Sequence, residues 1–158
     1  MPEPIGELYH IGIVVEDFDA ACASYGATLG LDWSPVIETR MEVWIHDRGL
    51  VTLDFKAVYS VQGPHIEIVK AIPGTPILPR PGSPLHHLGY WSDDVTAGSA
   101  RLSAAGNPLV ISPMHEGKPV GMAYHQLADG TLVELVDRAA FPDWQGFLAG
   151  RYKFESAV

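Results

Sequence analysis

Two histidines and two glutamates carry the chemistry this sequence can offer. His10 and His87 hold the same place in a recurring Leu-x-His-φ-Gly-φ-φ pattern, with φ apolar or aromatic: Leu8-Tyr9-His10-Ile11-Gly12-Ile13-Val14 and Leu85-His86-His87-Leu88-Gly89-Tyr90-Trp91. Glu67 and Glu134 hold the centre of a second recurring stretch, Gly63-Pro64-His65-Ile66-Glu67-Ile68-Val69 and Gly130-Thr131-Leu132-Val133-Glu134-Leu135-Val136. A lone strand histidine is more often a hydrogen-bonded structural residue than a ligand. A carboxylate between Ile66 and Ile68 is harder to account for, because burying it costs several kcal/mol unless it is paired or metal-bound. Neither glutamate has a basic residue beside it in its strand. Two imidazoles and two carboxylates placed by an internal repeat are what a divalent cation compensates. The reading is one divalent metal held by His10, Glu67, His87 and Glu134.

The elements that must position these residues repeat as well. Both histidine motifs read as strands, and each is followed by an acidic pair, Glu16-Asp17 or Asp93-Asp94, suited to the first turn of a helix. The first helix carries Phe18, Ala21, Cys22, Tyr25 and Leu29 at helical spacing, and the second carries Val95, Gly98, Leu102 and Ala105. Strand-like sequence follows at 41–46, 50–60 and 65–71, and again at 108–112, 121–127 and 131–136. Each half is therefore β-α-β-β-β, with module one at 7–71 and module two at 85–137. Between them, 72–84 holds Pro73, Pro76, Pro79, Pro81 and Pro84 and reads as an extended connector. Modules of about 65 residues are marginal alone, so one domain over 1–158 with a shared core is expected. In the tail, 138–158, Phe141, Trp144, Leu148 and Tyr152 suggest a short amphipathic helix. It is read as a cap on the sheet's outer face in preference to a lid or dimer clasp.

Side chains alternate across a strand, so His10 shares its face with Leu8, Gly12 and Val14, while Tyr9 points away. The same parity turns His86 away from the site, so its replacement should spare metal binding. Glu67 shares its face with His65, which is either a base or a partner that orients Glu67. His46, His86, His115 and His125 are assigned surface or packing roles.

The composition narrows the function classes. The formal charge of −9, from 19 acidic and 10 basic side chains without a basic cluster, excludes a nucleic-acid partner. No apolar run approaches bilayer length, and Met1-Pro2-Glu3-Pro4 has no signal-peptide character, so no membrane partner and a cytoplasmic location are expected. Cys22 is the sole cysteine and is expected to pack as a small hydrophobe. Nucleotide-binding loops, a Gly-x-Ser-x-Gly elbow and His-Glu-x-x-His are absent from the sequence.

Over roughly 7–137 the chain resembles the vicinal oxygen chelate superfamily, which includes glyoxalase I, methylmalonyl-CoA epimerase, extradiol dioxygenases and bleomycin-resistance proteins. The paired His-φ-Gly strands carry the resemblance, with Tyr25-Gly26-Ala27-Thr28-Leu29-Gly30-Leu31, His87-Leu88-Gly89-Tyr90-Trp91-Ser92-Asp93-Asp94 and Asp129-Gly130-Thr131-Leu132-Val133-Glu134-Leu135. It implies an α+β fold in which two βαβββ modules form an open, cup-shaped mixed sheet around a metal, with ligands at His10, Glu67, His87 and Glu134. Four such ligands resemble glyoxalase I, and the epimerases are similar but often carry Gln at the position corresponding to Glu67. The implied activity is a non-redox isomerase, epimerase or lyase acting on an oxygenated carbonyl substrate through a metal-stabilised enolate. Zinc, nickel, cobalt, manganese or iron would serve, with Glu67 or Glu134 as base, His65 as a further candidate, and a homodimer as the assembly. The alternatives are a ring-cleaving extradiol dioxygenase, with iron on His10, His87 and Glu134 alone, and a non-catalytic binding protein for an aromatic natural product. Met41, Trp44, Phe55, Tyr59, Trp91, Met122 and Tyr124 fall on strands lining or flanking the cup. If several face the cavity, a bulky or aromatic small-molecule substrate is expected. The lack of a basic cluster argues against gripping coenzyme A phosphates or glutathione carboxylates.

Overall fold

The computed structural model describes residues 2–155. Ser156–Val158, the end of the tail, lie outside the described residues. At the centre of the sheet, β1 (Glu7–Val15) pairs antiparallel with β5 (Leu85–Ser92). Each of these strands has a parallel neighbour on its other side: β4 (His65–Lys70) beside β1, and β10 (Leu132–Asp137) beside β5. Beyond β4 come β3 (Gly49–Tyr59) and β2 (Ile37–Ile45), and beyond β10 come β9 (Met122–Gln126) and β6 (Leu109–Ser112). The order is β1-β4-β3-β2-β6-β9-β10-β5, and it closes. The resemblance implied an open cup, whereas here the end of the long β2–β3 hairpin reaches β6 through Trp44↔Ser112 and Ile45↔Ile111. A bond from His46 N to the Val110 carbonyl, 2.9 Å, continues that seam. A small hairpin of β7 (Met114–His115) and β8 (Lys118–Pro119) was not foreseen.

Both expected helices form, and their caps explain where they start. Asp17 accepts from Ala20 N at 3.0 Å ahead of α1 (Phe18–Leu29), and Asp94 accepts from Ala97 N at 2.9 Å ahead of α2 (Val95–Ala104). Gly30, at φ 68°, ends α1 in the left-handed conformation that glycine adopts without strain. Phe18 packs with Val58 and Ile68, joined by Cys22, while Val95 packs with Ala123 and Leu135. Burial pushes the Cys22 thiol up, as befits a packing residue.

Inside the barrel the core is divided along the strands. Towards one end lie Val14, Val43, Ile45, Val69, Tyr124 and Leu132. Ile77 from the proline-rich connector plugs this cluster at 1 % exposure, so that segment belongs to the core rather than merely spanning it. Towards the other end lie Tyr9, Tyr59, Trp91 and Val136, closed by Phe141, Phe147 and Leu148 from the tail. The tail thus fills an end of the barrel, where a cap on the outer face was expected. Its helix, α3 (Trp144–Leu148), is shorter than the stripe of aromatic residues suggested, and a 3-10 turn at Arg138–Ala140 precedes it.

Candidate metal centre

Between those two apolar regions the strands bring four polar groups together. The β1–β5 register sets Gly12 opposite His87 and His10 opposite Gly89. A Cβ on Gly12 would overlap the His87 imidazole, and a Cβ on Gly89 would overlap the His10 imidazole. Each glycine of the repeated motif therefore makes room for the other motif's histidine. Parallel pairing sets Glu67 beside Gly12, and Glu134 beside Gly89, so the carboxylates arrive at the same level.

The two imidazole Nε2 atoms are 2.9 Å apart. Glu67 Oε2 lies 3.0 Å from His10 Nε2 and 2.9 Å from His87 Nε2; Glu134 Oε2 lies 3.1 and 3.2 Å from the same atoms. Ligand bonds of about 2.1 Å place neighbouring donors about 3.0 Å apart round an octahedron and about 3.4 Å apart round a tetrahedron. The separations of 2.9–3.2 Å are those of donors that could share one ion. Glu134 Oε2 is buried and, despite its closeness to both histidines, is aligned with neither for a hydrogen bond. An unpaired carboxylate oxygen aimed at two imidazole nitrogens suits a cation between them. The cluster could hold a metal ion.

Electrostatics agree with the geometry. Burial pushes the Glu67 carboxyl up, but the facing His10 and His87 outweigh it and hold Glu67 well below the usual carboxylate range. Glu134 is lowered in the same way, against burial, by its histidine contacts. Burial would lower His87, yet Glu134 and Glu67 raise it to about 9, and His10 is raised likewise, first by the Glu67 charge. Without a metal the site therefore keeps a proton among these four groups, where a cation could sit.

Two β-bulges place residues that strand alternation turns outward. In β1 the extra residue is Tyr9, between the pairs Leu8↔Tyr90 and His10↔Gly89; in β5 it is His86, between Gly12↔His87 and Ile13↔Leu85. Both extra residues directly precede a site histidine, and both are buried. Tyr9 stacks on Trp91 at 3.6 Å between ring centroids and lies against His10. His86 meets His87, Nδ1 to Nδ1, at 2.9 Å, and its Nε2 lies 2.9 Å from the Pro76 carbonyl. Burial lowers His86 to about 4, so it is neutral and carries one proton. The carbonyl can only accept, so Nε2–H of His86 donates to it and His86 Nδ1 accepts from His87 Nδ1–H. That pins the Nδ1–H of His87, so the proton released when a cation binds is the one on Nε2, whose lone pair would then face the cluster. The expectation that His86 stands apart from the site is thus overturned by the bulge.

His65 has other partners than Glu67. Its Nδ1–H donates to the Ser60 carbonyl at 2.8 Å, and its Nε2 accepts from Trp144 Nε1–H at 3.4 Å. His46 and His115 are exposed, while His125 is buried between Ser99 Oγ, 2.7 Å, and the Asn107 carbonyl, 2.9 Å, where it ties α2 to β9. Tyr59 pairs with Glu67 and Tyr124 with Glu134 on the adjoining strands, and their rings stand edge-on to His10 and His87 respectively. A cavity of about 440 Å³ opens on the cluster, with Glu67 and Glu134 in its wall. Met41, Phe55, Tyr59 and Met122 line it as expected, while Trp44, Trp91 and Tyr124 do not. Sequence reasoning missed Phe141 and Phe154, which also line it from the tail. The one signal for them was a tail too aromatic for a surface segment.

The fold is a closed mixed barrel of an α+β class, built around a buried His-Glu-His-Glu cluster that could hold a metal ion. Residues 9–124 match the model of the Glyoxalase/Bleomycin resistance protein/Dioxygenase superfamily, and the chain belongs to that superfamily. An ethylmalonyl-CoA/methylmalonyl-CoA epimerase of Cereibacter sphaeroides is 33% identical over 141 residues, covering 83% of this chain and 97% of that protein. Among solved structures, a Streptomyces coelicolor methylmalonyl-CoA epimerase in complex with 2-nitronate-propionyl-CoA is similar with a TM-score of 0.60 at 20% identity, covering 87% of this chain and 97% of that one. A methylmalonyl-CoA epimerase in complex with methylmalonyl-CoA and NH4+ is similar with a TM-score of 0.54 at 22% identity, over 87% and 97% of the two chains. At those identities the solved structures bear on the fold alone.

Proposed function

We propose that this protein is a metal-dependent epimerase that inverts a carbon next to a carbonyl, with His10, Glu67, His87 and Glu134 as the metal ligands. One observation carries the reading: both carboxylates reach the cavity wall, and they come from strands on opposite sides of the β1–β5 pair. Inversion needs a proton removed from one face of a carbon and returned to the other, which two such groups can do. One glutamate takes the proton as the C–H bond breaks, and the electron pair moves onto the carbonyl oxygen as an enolate. Both carboxyls rest ionised, so the other glutamate takes up a proton from solvent as the enolate forms and delivers it to the opposite face, while the first returns its proton to solvent. A divalent ion bound here would offset the charge growing on that oxygen. Tyr59 and Tyr124 stay neutral, because burial first and then the nearby carboxylates raise both well above their ordinary value. The relation to an epimerase over nearly all of that protein's length supports an isomerase over an oxygenase.

The test follows deuterium from solvent into each enantiomer of a methylmalonyl thioester, with metal-loaded protein. Wild type should exchange and interconvert both. Glu67→Gln and Glu134→Gln should each abolish interconversion while retaining exchange of one enantiomer, a different one in each variant. Exchange of both enantiomers at wild-type rates in either variant would refute the two-base scheme.

A further inference from the structure

We propose that the tail makes this a site for substrates whose chelating oxygens carry an apolar, ring-sized body, and that the tail's aromatic wall selects that body. The inference rests on the metal-centre reading and adds the substrate class. From the carboxylates outward, the cavity is walled on one side by Met41 and Phe55 and on the other by Met122 and Val136. Ala139, Ala140, Phe141 and Phe154 of the tail complete it. Those two phenylalanines lie 5.2 Å apart between ring centroids, so they form one continuous surface. A volume of about 440 Å³ is that of a pocket enclosing a whole small molecule.

The charges bordering the cavity point the same way. Apart from the cluster, its charged lining among the described residues is Glu42, Asp137 and Arg40, and Arg40 is ion-paired with Asp54 at 3.3 Å. Two carboxylates and one engaged guanidinium disfavour a polyanionic body there. Matching apolar walls, by contrast, leave a hydrocarbon ring desolvated on both faces, which is where ring burial contributes most to affinity.

The experiment uses protein loaded with cobalt(II), whose absorption reports ligands entering the open positions, and two probes with identical chelating groups, malonate and phenylmalonate. Phenylmalonate should bind about tenfold or more tightly than malonate, the effect expected from burying a ring. Phe154→Ala, near the end of the described chain, and Ala140→Leu, which fills the cavity, should each shrink that ratio several-fold and leave malonate affinity unchanged. Equal binding of the two probes by wild type, or a ratio untouched in both variants, overturns the inference while leaving the metal centre intact. Failure to bind cobalt overturns both readings. A methylmalonyl thioester of coenzyme A that binds far more tightly than its short-chain analogue also overturns the inference. It would place recognition in the outer groove beside β3, where Arg48, Lys56 and Lys70 lie.

Discussion

Gly89→Ala should disable the metal centre although residue 89 offers no donor atom. A methyl group there would overlap Cε1, Nδ1 and Nε2 of the His10 ring. Non-bonded carbons keep about 3.5–4.0 Å, so the imidazole must retreat by more than about 1 Å. Metal sites tolerate ligand displacements of about 0.2 Å, so His10 is lost as a ligand. Affinity should fall at least about a hundredfold, the upper end of what disturbing a supporting contact does. At saturating metal that removes about 2.7 kcal/mol of stabilisation, and overpacking adds a cost of about 1–3 kcal/mol in the metal-free protein. At about 2–4 °C per kcal/mol for a domain of this size, the holo melting temperature should drop by about 8–20 °C. Chelator competition and thermal melts with and without metal measure both parts. The decisive comparison is a double-mutant cycle with His10→Ala: once the ring is gone, Gly89→Ala should weaken metal binding little further. Wild-type affinity in Gly89→Ala, or additive losses in the double variant, would refute the reasoning.

His86→Ala should weaken metal binding about 10–100-fold by freeing the His87 tautomer, whereas His125→Ala should lower the melting temperature without changing affinity; titration of folded variants separates them. The metal-free site should also respond to pH in a definite direction. His87 is held up to about 9 against its ordinary 6.5, so its contribution to stability is complete below pH 6.5 and is lost as pH rises through 9. Across that window the metal-free melting temperature should fall while apparent metal affinity rises, since the competing proton leaves. Melts in a chelator and metal titrations at both ends check the two signs, and a metal-free protein that grows more stable with pH would contradict them.

The repeat made much of this legible. Every main-sheet strand was located to within a few residues, because apolar alternation and the doubled motifs left little latitude for His10, Glu67, His87 and Glu134. What escaped notice depends on contacts distant in sequence. A bulge has no composition of its own, so Tyr9 and His86 read as outward residues until the register of β1 against β5 was known. Closure of the sheet turns on two residue pairs between β2 and β6, fewer than any pattern can announce. The place of the tail was invisible for a similar reason: an apolar stripe says that a segment is buried, and not against what. The connector's prolines concealed Ile77, a core residue, and Pro76, whose carbonyl sets a histidine's proton.

The crossed seating of histidines and glycines has a consequence for how this chain can change over generations. Each His-φ-Gly triplet looks like a unit, but the physical units are the diagonals, His10 with Gly89 and His87 with Gly12. The two histidines lie 77 positions apart, yet a bulkier side chain at position 12 is felt first at position 87 and hardly at position 10. Descendants that abandon the metal should therefore relax one diagonal at a time. A glycine would be free to vary only after the histidine across from it has gone, and the surviving motif in the same strand would give no sign of it.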